Sequence, residues 1–525
     1  MKSTSGPLAW GTFAELLVPF VCVLVFPLPI EGQNVQHLSI TQPGGMPGLP
    51  TVTGISSQSN RVTVTWDGPS GYYQLYRKPI TGGTWQPVGG PTNLARRATL
   101  SAPGTNTLFR VHGPAPQYVG MANCIECHQG VHDSVVNTRH VQAFVSLTNA
   151  KQDKNPSCLP CHTVGYGLPT GFTSAGTTPQ LAGVQCENCH GPAGNHAANP
   201  DDPTVRPRIE LAATVCGGCH VSGYTQWKTS EHSGVVEDFN ASNLIDRCGR
   251  CHSGSVRESL LENEPLPVGD ANVPIGCATC HDSHQRTGHP AQLFNPLFST
   301  NNYSIATSLP FAGQYNPDIN LCAQCHNQRG ATWTDSNRPP HHSPQYNFLL
   351  GDVGQLASGP AQYQPASHAL LITNQCVGCH MQLRAATDQY HPPIHGHSFA
   401  VESFDVCLRC HPSPQGLVQF TQGAISNQIQ QVKAALDLWA LTKAPSGLQT
   451  NYGARAWEYS IPGDLSPGGP GPTAAEQALI PVNIQKARFN LYLVLYDGSY
   501  GVHNAPYAVT LLDTAQTWVE DSLTP

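Results

Sequence analysis

Cysteine is plentiful in this chain of 525 residues, yet cysteine available for disulfides is almost absent. Of 19 cysteines, 18 fall in nine copies of one five-residue pattern and only Cys22 is left over. A disulfide framework is therefore excluded for the body of the chain. Methionine is scarce, at four residues, and charged residues make up only 11%. The formal net charge of −7 gives no basic surface for nucleic acid. Past residue 32 no apolar run approaches the 18 or so residues a membrane helix needs. Long helical periodicity is also missing between residues 117 and 420, where turn-forming residues recur.

What the chain does have is C-x-x-C-H. It occurs as CIECH (Cys124, Cys127, His128), CLPCH (Cys158, Cys161, His162) and CENCH (Cys186, Cys189, His190). CGGCH (Cys216, Cys219, His220), CGRCH (Cys248, Cys251, His252) and CATCH (Cys277, Cys280, His281) follow. The last three are CAQCH (Cys322, Cys325, His326), CVGCH (Cys376, Cys379, His380) and CLRCH (Cys407, Cys410, His411). A zinc site uses cysteine pairs but gives no reason for a histidine always at the next position. Attachment of c-type haem does: two thiols add to the two vinyl groups of one porphyrin, and the adjacent imidazole becomes the proximal iron ligand. Nine covalent haems, each with its iron, are expected. Between Cys124 and Cys277 the motifs start every 28 to 34 residues. Segments this short bury too little apolar surface to fold alone, so the haems themselves are expected to act as core. Their propionates add roughly 18 carboxylates to an already acidic chain.

The flanks read differently. Residues 1–32 resemble an export signal, with Lys2 followed by the apolar stretch LLVPFVCVLVFPLPI, in which Cys22 is a filler. Export suits haem attachment and predicts a periplasmic, extracellular or cell-surface location. Residues 46–116 lack cysteine and read as a small β-sandwich. RVTVTWDG alternates, with Val62, Val64 and Trp66 on one face, and further short strands follow between Gly, Pro and Asn turns. Trp66, the Tyr-rich strand YYQLYRKP and TLFRV resemble a fibronectin type III domain. Residues 421–525 read as a helical bundle. Ile425, Ile429, Val432, Leu436 and Trp439 form one stripe, Val482–Tyr496 a second helix, and a third starts near Asn504. The expected fold is thus multidomain: a β-sandwich, a mainly α and loop-rich multihaem region over 117–420, and a bundle packed on it.

Methionine cannot be the general sixth ligand: Met1, Met46 and Met381 are badly placed, and only Met121 is otherwise free. Of 24 histidines, nine are proximal; His37 and His112 lie before or in the β region, leaving 13 for nine irons. From about Gly120 onward the chain resembles the multihaem cytochromes that include octahaem tetrathionate and nitrite reductases, hydroxylamine oxidoreductase and the nitrifier tetrahaem cytochrome. The resemblance implies distal ligands at His140 (NTRHVQAF), His196 (CENCHGPAGNH), His232 (YTQWKTSEHSG), His284 (CHDSH), His397 (GHSF) and His503 (DGSYGVHNAPY). It also implies one of His341 and His342 (HHSPQ), with His342 preferred, and more weakly His368. A ninth is open among His132, His289, His391 and His395.

Bis-histidine irons sit lower in potential than methionine–histidine ones. The expected function is passage of low-potential electrons along closely spaced haems. The alternative is a haem-based oxidoreductase of nitrite, hydroxylamine or tetrathionate, which needs one open iron. The resembling enzymes show departures at that iron, such as lysine as a ligand or a tyrosine crosslink, whereas all nine motifs here end in His. Expected partners are a redox donor and acceptor, with a membrane-associated quinol oxidase, an outer-surface conduit or self-assembly compatible.

Overall fold

The computed structural model describes residues 23–25, 51–58, 60–68, 73–89, 97–103, 107–234, 245–267, 273–294, 317–386, 390 and 393–524. Cys22, His37, Met46, His391 and nearly all of residues 1–32 lie outside them. The chain divides into two compact units, Met1–Glu210 and Leu211–Pro525.

In the first unit, strands β1 (Val23–Val25), β2 (Thr51–Gln58), β3 (Arg61–Asp67), β4 (Gln74–Pro79), β5 (Gln86–Pro87), β6 (Arg97–Ser101) and β7 (Thr107–His112) form two antiparallel sheets. Their orders are β2-β3-β6 and β1-β7-β4-β5. Val62, Val64 and Trp66 are buried together, as the alternation predicts, and meet Tyr73, Leu75, Phe109 and Val111 from the other sheet in one core. Strand β2 is absent from the expected set. Its register slips between Val52 and Gly54, so its two inward residues, Val52 and Ile55, are three apart and break the period of two.

Residues 117–210 follow in short helices, the longest being Ile125–Val135. Buried polar side chains do the joining. The Glu187 carboxylate accepts N–H bonds from Gly120 and Ala193, both at 2.8 Å, and from Val119. Asn188 donates to the Thr163 carbonyl at 2.9 Å. A small apolar cluster of Tyr118, Leu147, Leu159, Val164, Phe172 and Leu181 completes this region.

In the second unit the helices before residue 414 are equally short. The bundle then runs as Pro414–Thr442, Val482–Asp497 and Ala505–Leu523. Its first helix starts seven residues before the expected boundary, with Pro414 at its first turn, where a missing N–H costs nothing. The stripe Ile425, Ile429, Val432, Leu436 and Trp439 is buried, and the largest core among the described residues gathers on it. Buried polar residues tie the bundle to earlier chain. Asn490 exchanges two hydrogen bonds with the Gln355 backbone, at 2.7 and 2.9 Å. Asn504 donates to the Gln364 carbonyl at 2.9 Å, and Tyr507 to Val353 at 2.7 Å. Among the described residues no helix is long and apolar enough to cross a membrane.

Glu458 is fully buried in this bundle. Its carboxyl accepts from Tyr492 Oη at 2.6 Å, and burial pushes its pKa up to about 7. Unfolded, the group titrates near 4.3 or so. Between these values the native state holds a proton that the unfolded chain has lost, so stability falls as pH rises through this window. The helical unfolding midpoint should drop between pH 5 and pH 8. Glu458→Gln should flatten that drop, as read by circular dichroism on heating.

Candidate haem centres

Each CxxCH motif closes one helical turn. The histidine N–H bonds back to the first cysteine's carbonyl in His128, His220, His281, His326 and His411, at 2.8–2.9 Å. Positions i, i+3 and i+4 then share a face, so two thiols and one imidazole point to the same side. None of the 18 described cysteines is in a disulfide. Among the described residues no three His, Cys, Asp or Glu side chains converge on a metal site.

Histidines distant in sequence come together instead. Ring centroids lie 6.5 Å apart for His128 and His196, 6.1 Å for His232 and His326, and 5.8 Å for His252 and His341. The separations are 6.2 Å for His281 and His397, 6.1 Å for His368 and His411, and 6.2 Å for His380 and His503. Two metal–imidazole bonds of about 2 Å plus two ring radii of about 1 Å place centroids roughly 6 Å apart. Each pair thus has the spacing that a single metal ion between two imidazoles demands, and each contains one motif histidine. Gly191, at φ 85, turns the chain directly after His190, and the following turn presents His196 to His128. His190 and His196 therefore do not form a pair with each other.

The rings are aimed by their Nδ1 atoms. Nδ1 of His281, His380, His368 and His397 meets the carbonyls of Ala291, Phe399, Val502 and His395 at 2.6, 3.0, 3.2 and 2.9 Å. His341 meets Ser343 Oγ at 3.0 Å, and His503 meets the Asp497 carboxylate at 2.7 Å. A hydrogen bond at Nδ1 fixes the tautomer and leaves Nε2 for a metal. Burial, then His326, hold His232 down at about 4, and burial, then Arg329 and His252, do the same for His341. These imidazoles stay neutral and keep the lone pair that coordination uses. His503 differs: burial lowers its pKa, but Asp497 outweighs burial and the net shift is upward.

Motifs also touch one another. The Cys124 and Cys186 side chains lie side by side, as do Cys216 with Cys277 and Cys322 with Cys376. Cys251 and Cys325 are neighbours too. Their sulfurs contact each other's preceding carbonyls, Cys251 on Gln324 at 3.9 Å and Cys325 on Arg250 at 4.0 Å. Within the second unit the fourth motif is thus joined to the sixth, and the fifth and the eighth to the seventh.

The remaining candidates fall in varied places. His140 sits where its carbonyl accepts from Val184 N at 2.9 Å, two residues before the third motif. His284 N donates to Asp282 at 2.9 Å. His162 and His190 bond the Ala143 and Arg208 carbonyls through Nδ1 at 2.8 and 2.7 Å. His132 and His289 lie against Asp133 and Asp318 at 3.2 and 3.4 Å, and His395 binds the Met381 carbonyl at 2.6 Å. His342 does not face a motif histidine; its ring lies 3.9 Å from that of Tyr496. The neighbouring His341 takes that place, and two adjacent histidines give sequence reasoning no means of choosing between them. Asp497 carried no sequence signal as a site residue.

A family model described as cytochrome c554 and c-prime matches residues 123–191 and 321–412. Cytochrome c-554 of Nitrosomonas europaea is 32% identical over 215 residues, covering 33% of this chain and 87% of that protein. The multiheme cytochrome MtrA of Shewanella baltica is 25% identical over 239 residues, covering 41% of this chain and 60% of MtrA. Among solved structures, the outer cell wall cytochrome OcwA has a TM-score of 0.50 at 19% identity, covering 77% of this chain and 99% of that one. The protein is thus a c-type cytochrome in class, with haem c as its cofactor, whose chemistry is reversible one-electron exchange. The chain belongs to the multihaem c-type cytochrome family of cytochrome c-554.

Replacing His341 by Ala should turn one iron high-spin, whereas His342→Ala should leave it low-spin. Electron paramagnetic resonance of the two variants reads the difference, and the reverse result would move the ligand to His342.

Proposed function

We propose that this cytochrome is an exported conductor of low-potential electrons that holds nine haems, most of them between two histidines. The observation that carries this reading is the set of six imidazole pairs at 5.8–6.5 Å. Six-coordinate irons exchange electrons with little rearrangement and leave no position for a substrate. Two nitrogen ligands also keep potentials below those of methionine–histidine centres. Contacts of the fourth motif with the sixth, and of the fifth and eighth with the seventh, support short electron steps within the second unit. His140 and His284 supply two of the three further distal ligands, for irons among those held by His162, His190 and His220.

A second reading has one observation in its favour. Among the described residues no imidazole ring faces His162. An iron there would be the place for reduction of a small nitrogen or sulfur compound. The β region, resembling fibronectin type III, serves as a docking module for a redox partner, a surface conduit or a second copy. Location in the periplasm or at the cell surface follows from the export-signal reading of residues 1–32.

A pyridine haemochrome assay with intact mass should count nine haems per chain; fewer than eight, or stoichiometric zinc, contradicts the reading. Resting-state paramagnetic resonance should show at most one high-spin iron. Turnover of nitrite, hydroxylamine or tetrathionate under a reduced dye would establish the oxidoreductase instead. Deleting residues 33–116 should leave the haem spectrum unchanged.

A further inference from the structure

Twelve histidines form the six ring pairs, and among the described residues only one of them has a carboxylate at Nδ1. That residue is His503, 2.7 Å from Asp497 Oδ1. Asp497 is 2% exposed and ends the helix Val482–Asp497, where Gly498 turns left-handed. A carboxylate there is disfavoured twice, by burial and by the negative end of the helix dipole. Its second oxygen accepts from the Ser499 hydroxyl and from Ser499 N at 3.3 Å. The turn alone would use that second oxygen; it does not explain why Oδ1 is directed at the imidazole. The Ser499 hydroxyl also accepts from His503 N at 3.1 Å, so the ring, the serine and the carboxylate are held as one rigid unit. A buried negative charge in this position gains its compensation from a cation on the far side of the imidazole, where a metal ligand would carry it.

We propose that Asp497 is the potential-setting residue of the centre that His380 and His503 share. Accepting the Nδ1 proton makes His503 a more basic, more electron-rich ligand, which favours the ferric over the ferrous state. The carbonyls and hydroxyl that serve other paired rings are neutral and do this more weakly. Reduction at this centre takes up one electron and moves no proton, since the Nδ1 proton stays between ring and carboxylate. The eighth motif touches the seventh through Cys376 and Cys322, so its centre becomes a low-potential step beside the seventh. The inference rests on His380 and His503 facing one iron, as proposed above.

The test uses the full-length holoprotein, with haem content and potentials measured by spectroelectrochemical titration. Asp497→Asn should raise one midpoint by at least 59 mV, a tenfold change in that centre's reduction equilibrium, while the others stay put and the iron remains low-spin. Asp497→Glu should bring that midpoint back toward wild type. Ser499→Ala removes the hydroxyl competing for the carboxylate and should move the same midpoint down. If Asp497→Asn does not assemble, the direction of the Ser499→Ala shift decides. Full haem content with no shift in Asp497→Asn, or an upward shift in Ser499→Ala, overturns the role of Asp497. In the control, His503→Ala should turn one iron high-spin. An unchanged spectrum there overturns the ligand reading, and this inference with it.

Discussion

Two imidazoles held about 6 Å apart, each from a different part of the chain, set the constraint on which the rest of the structure depends. His380 and His503 are separated by more than a hundred residues, as are neither His128 and His196 nor His368 and His411, yet all three pairs keep the same spacing. Segments with so little apolar surface of their own have few other ways to become ordered. Metal binding supplies folding energy in such chains, and only one geometry satisfies it. The short helices, the glycine turns and the buried Glu187 and Asn188 bonds are the means by which loops deliver rings to that geometry.

The C-terminal bundle plays the opposite part. It has a core of its own, built on long apolar stripes, and it holds His503, backed by the buried Asp497, toward the eighth motif. Asn490, Asn504 and Tyr507 bond to backbone between Val353 and Gln364, so the bundle is fastened to the haem-bearing chain by polar contacts of defined length. A rigid element of this kind can hold a carboxylate against its dipole and use it to tune a neighbouring ligand. In the preceding region, where helices run to about three turns at most, ring nitrogens are met mostly by backbone carbonyls, which any loop can provide.

Much of this was legible in the sequence because it is local. CxxCH needs five consecutive residues, the Ile425 stripe has a helical period, and the Val62–Trp66 alternation has a period of two. What was not legible is non-local or out of period. Strand β2 hides its pattern behind a bulge at Gly54. The choice between His341 and His342 depends on Ser343 and on Tyr496, more than a hundred residues away. Asp497 looks in sequence like an ordinary helix terminus, and only the fold brings His503 and the eighth motif to it.

The most direct test of the central claim is a crystal structure of the holoprotein with anomalous diffraction at the iron edge. Nine iron peaks are predicted, six of them midway between the paired imidazoles and coordinated by both Nε2 atoms. Irons bound on the motif side alone, with His196, His232, His341, His368, His397 and His503 turned away, would contradict it.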